Sequence, residues 1–170
     1  MNTSAYTCQQ CGATYALGND SCAQRFARLL ALDHSRQEPW GSRHASAFSA
    51  YTLQHPAGQS STSLERCWTL LYRIWIAGDD PQFVVGALRN ARSGRPLTWT
   101  VPPLPADAHN PRRPRVTIAD RGAFESEQFP QLLEAWCRAT IEAFAQPSVP
   151  AWQAVLPNGC LAPAVPQLAF

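Results

Sequence analysis

Three cysteines in the first 22 residues constrain this chain more than any other feature. Cys8, Cys11 and Cys22 crowd a polar, Gly-containing stretch, and Cys8-Gln9-Gln10-Cys11-Gly12 is a CxxC knuckle. Two intervening residues let both thiolates face one ion while turn amides point at the sulfurs, and Gly12 permits the tight bend. A tetrahedral zinc ion takes four such ligands at about 2.0–2.3 Å. Cys22 is placed at the start of a helix, where unpaired N–H groups and the helix dipole favour a thiolate. The fold must therefore bring Cys22 back to the knuckle and supply a fourth donor.

The rest of the chain has the means to do so. At 170 residues with 45% hydrophobic composition it can bury a core as one domain. A net charge of +2 gives no strong field toward nucleic acid or membrane, and no run reaches the ~18 apolar residues of a spanning helix. All the positive charge is arginine. Met1-Asn2-Thr3-Ser4 has neither a basic nor an apolar leader segment, so the expected location is cytoplasmic, where thiols stay reduced. Cys67 and Cys137 lie in apolar helical patterns and Cys160 in a Pro-rich tail; these three read as small buried hydrophobes. A redox role for the CxxC pair would want a preceding strand and a following helix, and neither neighbour is visible in the pattern.

Five helices are predicted. Asp20 or Ser21 caps the first, over about 22–33, with Phe26, Leu29, Leu30 and Asp33 at helical spacing. A second, about 43–54, puts Ala47, Phe48, Ala50, Tyr51 and Leu53 on one side and closes at His55-Pro56. The third opens at the Ser60–Ser63 run, with Thr62 and Glu65 at capping-box spacing and a broad apolar face from Leu64 to Trp75, and ends near Gly78. Asp80-Pro81 starts a fourth, to about Arg89, with Phe83, Val84, Ala87 and Leu88 inward. Phe129-Pro130 opens the last, to about Ala145. Between the fourth and fifth, 91–115 reads as a long Pro-rich crossing loop, with short extended pieces expected at Leu97–Val101 and Arg115–Ile118. The expectation is a mostly α domain over 1–156, including a zinc knuckle over 1–21, followed by a Pro-rich apolar tail over 157–170.

Geometry proposes the fourth ligand. A short connection between the first two helices makes them antiparallel neighbours, so the end of the second returns beside Cys22, and that end carries His55. His44 is eleven positions earlier, about 16 Å away at ~1.5 Å per residue. One ion cannot take both. The predicted set is Cys8, Cys11, Cys22 and His55, with His34 and His44 in reserve. Four protein ligands make a closed, structural site; three would leave an open one suited to Lewis-acid chemistry.

These elements together carry a resemblance. CxxCG, an isolated Cys22 leading a helix, and His44…Ala50-Tyr51…Gln54-His55-Pro56 are similar to a bacterial family catalogued as a domain of unknown function. Val116-Thr117-Ile118-Ala119-Asp120 and Glu134-Ala135-Trp136 resemble its other recurring segments, and the likeness runs over about residues 8–145. The family pattern often has a charged residue after the first histidine and an Asp before Ala-Tyr, where Ala45 and Ser49 stand here. The resemblance implies that His44 and His55 belong with the cysteines as one unit. It implies nothing about a substrate.

Other groupings suggest further roles. His44, Tyr51 and His55 fall near one helical face and could line a pocket, with Asp33 or Asp120 orienting an imidazole; Tyr51 also reads as a core residue. Arg112, Arg113 and Arg115, with Arg89, Arg92 and Arg95 and near Trp99, make a small basic patch that Asp107 and Asp120 interrupt. Most of the six tryptophans should be core. The tail from Trp152 to Phe170 is too apolar to be left bare, so it either wraps the body or docks on a partner. The leading expectation is a non-enzymatic accessory or adaptor module that binds a protein through its tail and crossing loop. The alternatives are a metal-dependent hydrolase or transferase with an open zinc near Cys22 and His44, and a weak nucleic-acid binder using the arginines.

Overall fold

The apolar periodicities close around one central helix. The computed structural model describes residues 5–16, 20–94, 99, 101, 103–105, 108, 112–120, 124 and 126–144. A two-stranded antiparallel hairpin, β1 (Ala5–Thr7) and β2 (Thr14–Ala16), leads into α1 (Cys22–His34). A 3-10 turn (Gly41–Arg43) runs directly into α2 (His44–Gln54). Then come α3 (Ser61–Trp75), α4 (Pro81–Arg92) and α5 (Phe129–Phe144). Among the described residues the architecture is mostly α with five helices, as the sequence indicates.

Helix ends follow local chemistry. Ser21 caps α1 in a full capping box: its hydroxyl accepts from the Gln24 amide, and the Gln24 side chain accepts from the Ser21 amide at 2.9 Å. Asp80 caps α4 by accepting from the Phe83 amide at 2.9 Å, with Pro81 in the first turn. The cap of α3 differs from the expected Thr62–Glu65 box. Ser60 holds that position, accepting from the Ser63 amide, because it is the last residue with extended backbone before the helix begins. Gly78, at φ 77°, turns the chain after α3.

α2 is the structural axis. It buries Ser46, Ala47, Ser49, Ala50, Thr52, Leu53 and Gln54, and the five small residues at 46–52 let α3 and α5 approach closely. Leu53, Leu64, Leu71, Phe129, Leu133, Trp136 and Cys137 form the surrounding core with Ile118 from the crossing segment. Gln54, almost fully buried, spans this core: its amide nitrogen donates to the Val116 carbonyl (2.9 Å) and to Thr140 Oγ1 (2.8 Å). Thr117 and Asp120 make a tight turn there, with the Thr117 amide and hydroxyl both donating to Asp120 Oδ2. This turn replaces the extended piece expected at Arg115–Ile118, and it occupies the Asp120 carboxylate that could have oriented a histidine. Leu97, Leu104's neighbours at 106–107, and the tail from 145 onward, including Trp152 and Cys160, lie outside the described residues.

Several side chains depart from their expected burial. Phe48 and Phe83 remain 43% and 60% exposed although both lie on apolar stripes; among the described residues their ring neighbours, Phe26 and His44 for Phe48 and Trp99 for Phe83, cover them only in part. Trp68 and Trp136 are buried, whereas Trp40, Trp75 and Trp99 are half-buried. Cys67 and Cys137 are buried, as expected of small hydrophobes.

Candidate metal centre

The hairpin exists to present the knuckle. Its strands pair Ala5 with Ala16, Tyr6 with Tyr15 and Thr7 with Thr14, leaving residues 8–13 as a turn. The Cys8 amide donates to Ala13 O (2.8 Å) and the Gly12 amide to Cys8 O (2.9 Å). Gly12 adopts φ 77°, and a Cβ there would come within 2.8 Å of Arg113 Cδ, so glycine serves both the bend and the close approach of the crossing segment. At the other side of the turn, Gln10 Oε1 accepts from the Ala57 amide at 2.9 Å. The knuckle is thereby tied to the segments that follow α2 and α4.

Antiparallel packing of α1 and α2 then brings the donors together. Cys22, the first residue of α1, lies 3.5 Å from Cys11, sulfur to sulfur. His55, just past α2, arrives from the opposite direction. The ligand atoms of Cys8, Cys11, Cys22 and His55 all lie within 4.8 Å of one another, and all four residues are buried. Two donors on one ion can be no further apart than about 4.6 Å, twice a Zn–S bond. The four therefore need little inward movement to share one.

The imidazole is oriented for this. His55 Nδ1 donates to the Tyr51 carbonyl at 3.0 Å, and the ring stacks at 4.2 Å on Tyr51, which stacks at 3.8 Å on Phe26. This leaves Nε2 buried with no hydrogen-bond partner. A buried imidazole nitrogen without a partner costs free energy, and here it adjoins three sulfurs. Cys3His is the donor chemistry of a structural zinc site, so the residues present fit such an ion.

The electrostatics agree. The hydrogen bond from Cys11, then the adjoining His55 imidazole and the Tyr15 hydroxyl, pull the Cys22 thiol down to about 4 against the opposing effect of burial. Cys11 is shifted strongly upward by that same bond and by burial, so it keeps the proton. Tyr15, raised by burial and by its bond to Cys22, stays a neutral donor at 2.7 Å from the sulfur. One thiolate stabilised by two donors is a prepared soft-ligand environment.

The other candidate residues lie elsewhere. His44 begins α2, at the far end from Cys22, where its Nδ1 meets Asp33 Oδ2 at 3.0 Å. The expected unit of both histidines with the cysteines is thus divided by the length of α2, as is the pocket of His44, Tyr51 and Asp33: Tyr51 belongs to the His55 stack. An open site using both Cys22 and His44 is not formed. His34 is exposed beside His44. Arg112, Arg113 and Arg115 are exposed, and Arg113 lays its stem over Gly12; Arg95 and Asp107 lie outside the described residues. Sequence reasoning missed Tyr15, Gln10 and Gln54. Of these only Gln54, a polar residue inside an apolar helical pattern, gave a signal.

Among the described residues no helix is long and apolar enough to cross a membrane. A family of unknown function (DUF5946) matches residues 6–145, a span that runs from β1 past the end of α5 and contains all four clustered donors. No curated protein and no solved structure matches the chain.

Proposed function

The chain belongs to this family of unknown function, and within it we propose a non-enzymatic accessory module of the cytoplasm, built around a structural zinc ion and acting by binding a protein partner. The observation that carries the first half is the buried, closed set of Cys8, Cys11, Cys22 and His55, whose fourth member has an otherwise unpartnered Nε2. When bound, the ion supplies a crosslink between hairpin, α1 and α2, and four protein donors fill its tetrahedral shell. Tyr15 holds the Cys22 sulfur, Tyr51 O fixes the His55 tautomer, and Gln10 and Arg113 hold the turn against the body. A reducing compartment keeps the thiols available.

The partner-binding half is supported by apolar surface left beside the crossing loop. Phe83 and Ile76 are 60% and 42% exposed, and Phe83 meets Trp99 at 5.6 Å, with the Arg73 guanidinium 5.0 Å over the same ring. This edge is where the module would dock. Metal analysis of purified protein tests the zinc reading: one zinc per chain is expected, lost with a lowered melting temperature in Cys8→Ser. Metal-free protein with unchanged melting in that variant refutes it. Binding of a co-purifying protein should fall in Phe83→Ser; equal recovery would place docking elsewhere.

A further inference from the structure

The far end of α2 holds a second arrangement that the cysteine cluster does not use. Asp33 has been drawn into the protein at the end of α1, with its carboxylate 1% exposed. A buried carboxylate is costly unless it is paired. Among the described residues its partner is a single atom, His44 Nδ1 at 3.0 Å, and Oδ1 has no hydrogen-bond partner. The pairing does not hide the histidine. The His44 side chain is 45% exposed, and because Nδ1 is occupied, Nε2 is the nitrogen left to bond outward. A carboxylate behind an imidazole fixes its tautomer and raises the basicity of the opposite nitrogen, the arrangement found behind metal-bound histidines.

A second imidazole is in place. His34 is exposed at the last position of α1, and its ring centroid lies 6.0 Å from that of His44, tilted by 41°. One ion joins two rings when the facing nitrogens come within about 4.2 Å, twice a Zn–N bond; binding would turn the exposed His34 side chain toward His44 to reach that distance. Phe48 also neighbours His44, with ring centroids 6.0 Å apart. We infer that His34 and His44 form a second, solvent-facing site for a nitrogen-preferring divalent transition-metal ion, with Asp33 as the positioning residue behind it. Imidazole suits zinc, nickel and copper ions, and two protein nitrogens leave the remaining positions to water.

This site is independent of the cysteine cluster and is tested with that cluster already filled. Nickel is titrated into zinc-loaded full-length protein, following heat and the imidazole proton resonances. One further saturable equivalent is expected, with selective broadening of His34 and His44 and none of His55. His34→Ala and His44→Ala should each abolish it, and Asp33→Asn should weaken it about 10- to 100-fold. His34→Ala alters an exposed side chain, so its loss of binding cannot be read as unfolding. No saturable nickel, or nickel binding that persists in both histidine variants, overturns the inference. Failure of the cysteine reading would show separately, as less than one zinc per chain before any nickel is added.

Discussion

Removal of the metal should melt the knuckle and leave the helical body standing. The hairpin has two strands of three residues each, and an isolated two-stranded hairpin is at best marginal in water. Within its strands only Tyr15 is buried; the turn adds Cys8, Cys11 and Ala13 to the core. Apart from the cysteine cluster, its ties to the body among the described residues include the Gln10–Ala57 hydrogen bond, the Arg113 stem on Gly12 and the Arg25 guanidinium 5.4 Å over the Tyr15 ring. None of the four donors lies within α2, α3 or α5. With free zinc held at a thousand times its dissociation constant, binding stabilises the folded state by about 4.1 kcal/mol. For a chain of this size each kcal/mol shifts the midpoint by about 2–4 °C. A chelator should therefore lower the melting temperature by about 8–16 °C. Hydrogen exchange under chelation should show lost amide protection at residues 8–15 and retained protection in α2 and α5. An unchanged midpoint together with a protected hairpin would refute the reasoning, because the hairpin would then be held by contacts other than the metal.

Three other outcomes follow from particular contacts. Gly12→Ala should destabilise by more than the about 1–2 kcal/mol of a left-handed backbone alone, since the new Cβ meets Arg113 Cδ at 2.8 Å; thermal unfolding of Gly12→Ala with and without Arg113→Ala should show partial relief in the double variant, and additive effects would contradict the contact. Gln54→Leu should cost about 1–3 kcal/mol by denaturant titration, because it leaves the half-buried Val116 carbonyl without the Gln54 donor; a neutral result would show that a water replaces it. Cys137, raised by burial, should resist alkylation in the native protein at neutral pH. Its folded thiol keeps the proton to higher pH than the unfolded one, so its contribution to stability is complete below the ordinary thiol value of 9.0 and declines as pH rises above it. Rapid native-state labelling would contradict that.

The parts of the fold that were legible in the sequence are those set by local chemistry. Ser21, Asp80-Pro81 and His55-Pro56 mark helix ends because capping and proline geometry act within three or four residues. The meeting of Cys22 with His55, and the separation of His44 from both, was legible because a short connection makes helices antiparallel and the rise per residue is fixed. The hairpin was not legible: three-residue strands carry too few alternations to stand out. Phe48 and Phe83 show a different limit. Periodicity says which side of a helix is apolar, but not how much of it a neighbour covers. The bond from Tyr15 to Cys22 depends on how β2 lies against α1, a tertiary fact with no trace in spacing. The burial of Asp33 did have a trace, since it falls in register with Phe26 and Leu29 on α1.

The central claim is that three sulfurs and one imidazole nitrogen surround a single ion. X-ray absorption at the zinc edge of the purified full-length protein measures this directly. The account predicts a four-coordinate shell of three sulfurs at about 2.3 Å and one nitrogen at about 2.0–2.1 Å, with the nitrogen replaced or lost in His55→Ala. A shell with fewer than three sulfurs, or one unaltered by that substitution, would contradict it.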